Sequence, residues 1–264
     1  MLTDPKSSVV KGVARLSKKD ARSQTGLFLL EGPQGFKEAI ETPKLIVEIY
    51  ATPDCLERYP ELFERARKAR IDVTPVTDRV LEQMCDTDTP QGVVAVCKQL
   101  HTSLETVMRA KPKLVAVLSQ VRDPGNAGTV LRAADAAGAD AVIFSDNSVD
   151  IYNPKVVRST TGSIFHLPVV MGVSVETAID ALRSAGLQVF AADGGGKLIT
   201  DFTPAELAKP TAWVFGNEAC GFEQSTLDAV DEVVGLPLYG PAESLNLATA
   251  ASVCLYQTAF AQRA

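Results

Sequence analysis

The stretch Trp213-Val214-Phe215-Gly216-Asn217-Glu218-Ala219-Cys220-Gly221-Phe222 is followed, after one short helical segment, by Leu236-Pro237-Leu238-Tyr239-Gly240-Pro241-Ala242-Glu243-Ser244-Leu245-Asn246-Leu247. Both halves share a design. An apolar run of buried-strand type stops at a loop rich in Gly, Pro, Asn and Ser, and a helix then begins. Loops at the same ends of neighbouring parallel strands make a crevice lined with backbone N–H and C=O groups, which is where open α/β sheets bind ligands. A third loop, Asp193-Gly194-Gly195-Gly196, follows the strand Leu187 to Ala191. On its own it reads as a plain turn. It does not spell G-x-G-x-x-G, and no phosphate-loop lysine follows it. The three loops together point to a small-molecule site.

The chain before these loops supports the same sheet. Leu114-Val115-Ala116-Val117-Leu118 is a continuous apolar run of buried parallel-strand type. A helix is expected from Asn126, through Thr129 to Ala137, with Asn126 as its cap. Ala141 to Phe144 is the next strand. Asn153-Pro154 opens another helix, Leu167 to Val170 reads as a short strand, and Ser174 to Ser184 as a helix ending at Gly186. Leu247 to Gln262 is a closing helix, apolar almost all round, which needs cover on more than one side.

The first hundred residues alternate strand and helix, as in a small α/β domain. Strands are expected at Leu27 to Glu31, Lys44 to Tyr50, Ile71 to Val76 and Val93 to Lys98. Helices are expected over 6–22, 35–40, 55–69 and 78–85. Residues 105–112 read as a short linker, dividing the chain into domains 1–104 and 113–264.

Composition excludes several classes. Of 264 residues, 46% are hydrophobic and 22% charged, as in a soluble globular protein. No apolar run reaches membrane-span length, and Met1 to Lys11 has no signal-type apolar core, so a cytoplasmic protein with no membrane partner is expected. Five cysteines without close pairs, and two histidines, spell neither a disulfide framework nor a metal site; buried thiols are the plainer reading. The net charge of −6 argues against a generic polyanion binder. Yet Lys6, Lys11, Arg15, Lys18, Lys19 and Arg22 crowd the N-terminus, either as a local phosphate-binding patch or as a solvated helix face.

Polar residues in the strand-end loops are the candidates for chemistry. Arg132 lies six residues after Asn126, on the first or second turn of the same helix. Glu218 sits between Gly216 and Gly221, in a loop too tight to bury a charge without partners. Ser244 and Asn246 precede the last helix, and Asn246 also suits a simple N-cap. His166 reads as a strand-edge residue.

Asn126-Ala127-Gly128-Thr129-Val130-Leu131-Arg132, Phe215 to Gly221, and Leu236-Pro237-Leu238 through Ser244-Leu245-Asn246-Leu247 resemble, in order, the three motifs of the SpoU/TrmH-type RNA ribose 2′-O-methyltransferases of the SPOUT superfamily. Tyr152 to Gly162 also fits that family. Phe28-Leu29-Leu30-Glu31-Gly32 and Thr89 to Val96 resemble its accessory RNA-binding domain of L30e-like fold. The third motif departs slightly, with Leu236-Pro237-Leu238 where the family often has Ile-Pro-Met.

The resemblance implies an α/β fold whose C-terminal parallel-sheet domain carries a deep trefoil knot, preceded by the small L30e-like domain. It implies S-adenosylmethionine as cofactor, held by Asp193, Gly194, Gly216, Asn217, Gly221, Leu236, Leu238, Leu245 and Asn246. Arg132 is then the catalytic arginine, read as a cation that stabilises a developing alkoxide and grips phosphate rather than as a free base, with a general base made by its surroundings as the alternative. Asn126, Glu218, Ser244 and Asn246 orient the reacting groups. Lys11, Arg15, Lys18, Lys19, Arg22 and Arg158 are expected to hold RNA, with Arg22 or Arg158 as a donor to the partner's site in a homodimer paired through the C-terminal domain. The substrate implied is 23S rRNA or a ribosome-assembly intermediate. A tRNA 2′-O-methyltransferase, and a non-catalytic RNA-binding protein of the same fold, are the alternatives. A doubly wound oxidoreductase lacks its fingerprint.

Overall fold

The computed structural model describes all residues from 1 to 264, and the chain divides into two compact units. One holds Met1–Leu100 together with Asp150–Phe165. The other holds His101–Val149 and His166–Ala264.

In the first unit, α1 (Ser8–Arg15) starts where the Ser7 hydroxyl accepts the Val10 amide, and α2 (Lys19–Thr25) stops at Gly26 in the left-handed region. Then come β1 (Leu27–Glu31), α3 (Pro33–Ala39), β2 (Ile46–Ala51), α4 (Pro53–Arg58), α5 (Pro60–Lys68), β3 (Val73–Pro75), α6 (Asp78–Met84) and β4 (Val93–Lys98). The sheet order is β1-β4-β2-β3, with β4 antiparallel to both neighbours and β2 parallel to β3. Val10, Val13 and Leu16 pack with Leu29, Val80, Leu81, Met84 and Val96 to form its core.

Two expected helices are each two. The basic segment breaks after Arg15, where the Ser17 hydroxyl donates to the Ala14 carbonyl and Leu16 turns into the core. The helix expected over 55–69 breaks at Tyr59-Pro60. Pro60 has no N–H to continue α4 and suits the first turn of a new helix instead.

The second unit opens with α7 (Leu104–Arg109), β5 (Leu114–Leu118), α8 (Pro124–Ala136) and β6 (Ala141–Ser145). The chain then contributes Asp150–Phe165 to the first unit, including α9 (Pro154–Thr160), which Asn153 caps. That segment is fastened by aromatic contacts of Phe28 with Tyr152 and Phe165, at 4.9 and 6.2 Å between ring centres, and by a hydrogen bond of the Tyr152 hydroxyl with Leu100. β7 (Val169–Val173), α10 (Val175–Ser184), β8 (Gln188–Leu198), α11 (Pro204–Leu207), β9 (Thr211–Phe215), α12 (Gln224–Ala229), β10 (Glu232–Gly235) and α13 (Leu247–Arg263) complete the second unit.

Its six strands run in the order β10-β8-β9-β5-β6-β7, every neighbouring pair parallel. All five residues of β5, β6 and β9 are buried, as the apolar runs require of a sheet covered on both faces. Trp213 is fully buried, and its indole N–H donates to Thr258 of α13 at 2.9 Å. Register pairs Leu118 and Ala192 each with Phe215, so the loops after β5 and β9 and the Asp193–Gly196 stretch of β8 lie at one end of the strands.

The Asp193–Gly196 stretch is not a plain turn. β8 continues through it to Leu198, and its pairing with β10 jumps from Ala191 opposite Val233 to Lys197 opposite Val234. Residues 192–196 bulge out of this parallel pairing beside β10. A Cβ on Gly196 would lie 2.1 Å from the Val233 carbonyl oxygen, and one on Gly235 would lie 3.3 Å from the Asp193 oxygen, so the close approach admits only glycine at 196.

Candidate active site

The three loops close around a cavity of about 390 Å³ in the second unit. Gly216 is pressed against the Gly221 carbonyl, which a Cβ would meet at 2.9 Å. Asn217 and Gly221 exchange backbone hydrogen bonds of 3.0 and 2.9 Å, which makes 217–221 a tight, closed loop. The Asn217 side chain braces it: its oxygen accepts the amides of Ala219 and Cys220, and its amide donates to the Gln120 carbonyl at 2.8 Å. Asn217 thus lines the cavity with its side-chain oxygen engaged within the loop and its amide tied to Gln120.

A chain of side-chain hydrogen bonds joins three of the expected polar residues. The Asn246 amide donates to the Asn126 oxygen at 2.9 Å, and the Asn126 amide donates to Glu218 at 3.1 Å. Asn246 also caps α13, its oxygen accepting the amides of Ala248 and Thr249. Asn246 thus caps the helix and still reaches Asn126.

Asn126 does not cap α8. The cap is Asp123, whose carboxylate accepts the Asn126 backbone amide at 2.7 Å. That places Asn126 inside the first turn, leaving its side chain for Glu218 and Asn246 rather than for its own helix.

Asp193, Gly194, Gly216, Asn217, Gly221, Leu236, Leu238, Leu245 and Asn246 all line the cavity, as do Asn126, Glu218 and Ser244. Arg132 does not. It is exposed further along α8, and six residues of rise carry it about 9 Å up the helix from Asn126. Phe222, Val234 and Glu243 line the cavity too, and pattern reading missed them. Phe222 was recoverable as the residue next to Gly221, but Val234 lies inside a strand and Glu243 in a loop with no helical or strand period.

Charge narrows what the cavity holds. Its lining carries three carboxylates, Asp193, Glu218 and Glu243, and no Lys, Arg or His. A dinucleotide pyrophosphate would be repelled, whereas a ligand with a fixed positive charge is drawn in. Apolar faces at Leu236, Leu245 and Phe222 suit a flat aromatic group, and Leu238 and Leu245 remain 40% exposed at the wall. A sulfonium joined to an adenosine answers both features.

The basic residues separate into two kinds. Lys11, Arg15, Lys18 and Lys19 are exposed on and beside α1 and α2. Arg22 is not available to RNA or to a partner subunit. It is 2% exposed, bonded to Asp150 at 2.6 Å and to the Leu16 and Ser17 carbonyls at 2.9 and 2.8 Å. Arg158 is half-buried and ion-paired with Glu31 and Asp86 at 2.8 and 3.1 Å. His166 pairs with Asp135 at 2.7 Å. Of the cysteines, Cys220 is exposed in the 217–221 loop, not buried, while burial pushes the Cys254 thiol up to about 12.

Comparison with known proteins places this geometry. Residues 113–256 match the SpoU rRNA Methylase family, and residues 29–103 match the RNA 2′-O ribose methyltransferase substrate-binding family. The chain is 34% identical over 254 residues to the 23S rRNA (guanosine(2553)-2′-O)-methyltransferase RlmP of Bacillus subtilis, covering 95% of this chain and 96% of that one. It is 30% identical over 249 residues to the 23S rRNA (uridine(2479)-2′-O)-methyltransferase of Streptomyces viridochromogenes, covering 92% and 86%. The crystal structure of an AdoMet-bound rRNA methyltransferase from Sinorhizobium meliloti superposes with a TM-score of 0.84 at 28% identity, covering 97% of this chain and 96% of that one.

Proposed function

The chain belongs to the SpoU rRNA methylase family, and we propose that it transfers the methyl group of S-adenosylmethionine to a ribose 2′-hydroxyl of 23S rRNA. The observation that carries this reading is the cavity itself: three carboxylates without a cation, apolar walls, and the hydrogen-bonded chain Asn246–Asn126–Glu218 along one side. S-adenosylmethionine supplies an electrophilic methyl on a positively charged sulfur. The 2′-oxygen would bond to that carbon as the carbon–sulfur bond breaks, leaving S-adenosylhomocysteine as a neutral thioether and releasing the hydroxyl proton to solvent.

The chain's own residues bind and orient. Asp193, Glu218 and Glu243 favour the cationic donor, and Gly216 allows close backbone approach. The Asn126–Asn246 pair holds Glu218 and the start of α13 in register, and Ser244 presents a hydroxyl at the rim. Arg132 stands outside the donor cavity, on solvent, where it meets RNA and offsets the charge developing on the 2′-oxygen and its neighbouring phosphate. Arginine is too weak an acid to act as a free base at neutral pH, so the cation reading is preferred.

Lys11, Arg15, Lys18 and Lys19 grip RNA phosphates. Domains of 1–104 and 113–264 are supported by the family matches at 29–103 and 113–256, although Asp150–Phe165 packs with the first compact unit. The likeness to SpoU-type structures supports a trefoil threading of the C-terminal loops. Phe260, 64% exposed on α13, and Val253 beside it support a homodimer built on that helix. No helix is long and apolar enough to cross a membrane, and an rRNA substrate supports a place in the cytoplasm.

The test is transfer of labelled methyl from S-adenosylmethionine to total RNA, followed by mapping of 2′-O-methyl positions. Label at one 23S position is expected, and it should vanish when that ribose is 2′-deoxy. Label confined to tRNA, or methylation on a base, would overturn the reading.

A further inference from the structure

The first unit holds a second cavity, of about 330 Å³, for which the reaction has no use. It lies between the end of β1, the start of α3, the loop 85–91 before β4, and α9. Gly32 shapes its floor. Its φ of +87° is open to glycine, and a Cβ there would lie 3.3 Å from the Gln91 side-chain oxygen, so the missing side chain leaves the Gln91 amide facing the recess. Leu30, Val93 and Val157 give apolar walls, and Gln34, Thr89 and Gln91 give polar edges.

Charge again decides the class of ligand. The one cation in the lining, Arg158, is held by Glu31 at 2.8 Å and Asp86 at 3.1 Å. Glu31 is itself fixed, its side chain 3% exposed and accepting the amides of Asp86 and Thr87 at 2.7 and 3.3 Å. Two carboxylates against one guanidinium leave no positive potential for a phosphate. A neutral, flat ligand with donors and acceptors on its edge fits better. Carboxamide side chains offer both kinds of group, and the volume is at the low end for ligand pockets, which run from about 300 to 1,000 Å³. Unpaired bases are what proteins read in single-stranded RNA.

We infer that this cavity receives one unpaired nucleobase of the RNA, from a nucleotide other than the one methylated, and so selects the substrate. The inference rests on the reading of the chain as an RNA methyltransferase. Gln91 and Gln34 contact the base edge, and the Arg158 guanidinium, braced by its two carboxylates, serves as a fixed wall rather than a phosphate clamp.

The test is equilibrium binding of deproteinised 23S rRNA to the full chain at about 50 mM and about 200 mM salt. Wild type, a Gln34→Ala/Gln91→Ala double variant and a Lys18→Glu/Lys19→Glu variant are compared, with thermal melts as the folding control. Lost base-edge contacts should weaken binding about tenfold in the double variant, by the same factor at both salts. The lysine variant should instead flatten the salt dependence. As a second measurement, 4-thiouridine-containing rRNA should crosslink to the 85–93 peptide. Wild-type affinity in the double variant, or a loss that disappears at the higher salt, would overturn the inference, as would a wild-type chain that binds no RNA. A wild-type chain that binds rRNA yet transfers no methyl would sink the catalytic reading while binding still judged this cavity.

Discussion

The two cavities of this chain are similar in volume and differ in how charge is arranged around them. The C-terminal one gathers Asp193, Glu218 and Glu243 with no opposing cation. The N-terminal one contains a cation already neutralised, Arg158 between Glu31 and Asp86. Their construction differs as well. Close backbone approaches at Gly196 and Gly216 help shape the first, while side chains from β1, α9 and the 85–91 loop dominate the second. Uncompensated carboxylates favour a cationic ligand. A saturated ion-pair cluster favours a neutral ligand and holds its walls still. The same residue types thus prepare one cavity for a charged small molecule and the other for a base edge.

The sharpest way to break that division is at Arg132, the cation proposed for catalysis, which lines neither cavity. Arg132→Ala should leave S-adenosylmethionine binding within about twofold and lower single-turnover methyl transfer by about 100- to 1,000-fold, the scale for loss of one group that stabilises developing charge. Calorimetry with the donor and a quenched single-turnover assay with rRNA separate the two quantities. Normal turnover would remove Arg132 from the chemistry.

In the N-terminal unit the corresponding arginine acts on stability, not on rate. Arg22 was expected on RNA from its place in a basic run, but its guanidinium is buried against Asp150 and two carbonyls. Arg22→Ala strands the Asp150 carboxylate and should destabilise the fold by about 3 kcal/mol, the lower range for breaking a buried pair because Asp150 keeps some exposure. Urea denaturation reads this directly. A shift below about 0.5 kcal/mol would mean the pair behaves like a surface salt bridge.

These arginines also show where legibility ended. β4, β5 and β9 form where their apolar runs ended in sequence, because strands buried on both faces need no partner information to be recognised. The nine residues that the family resemblance implied for the donor all line one cavity, and they lie in strand-end loops that Gly, Asn and Pro clusters marked locally. What depends on distant partners was not visible. Arg22 meets Asp150 across 128 positions, and the run through Gly196 continues as strand only because β10 pairs beside it. The helix cap moved from Asn126 to Asp123 for a related reason. Both residues are good caps, and the choice was made by Glu218 and Asn246, which claim the Asn126 side chain from 92 and 120 positions away.

The close approach at Gly196 offers the finest test, because two neighbours in one loop should respond differently. A Cβ at Gly196 would sit 2.1 Å from the Val233 oxygen and 2.3 Å from its carbonyl carbon, both backbone atoms that cannot swing aside. A Cβ at Gly194 meets nothing within 4 Å. Gly196→Ala must push β10 off β8, at about 1–3 kcal/mol for forced overpacking. Because Val234 and Leu236 line the donor cavity, the shift should also weaken S-adenosylmethionine binding. Gly194→Ala should melt within about 0.5 kcal/mol of the natural chain, as at a site free of contacts. If the two variants melted alike, the close approach would not be what holds the donor cavity in shape, and the contrast between a backbone-built and a side-chain-built cavity would fail.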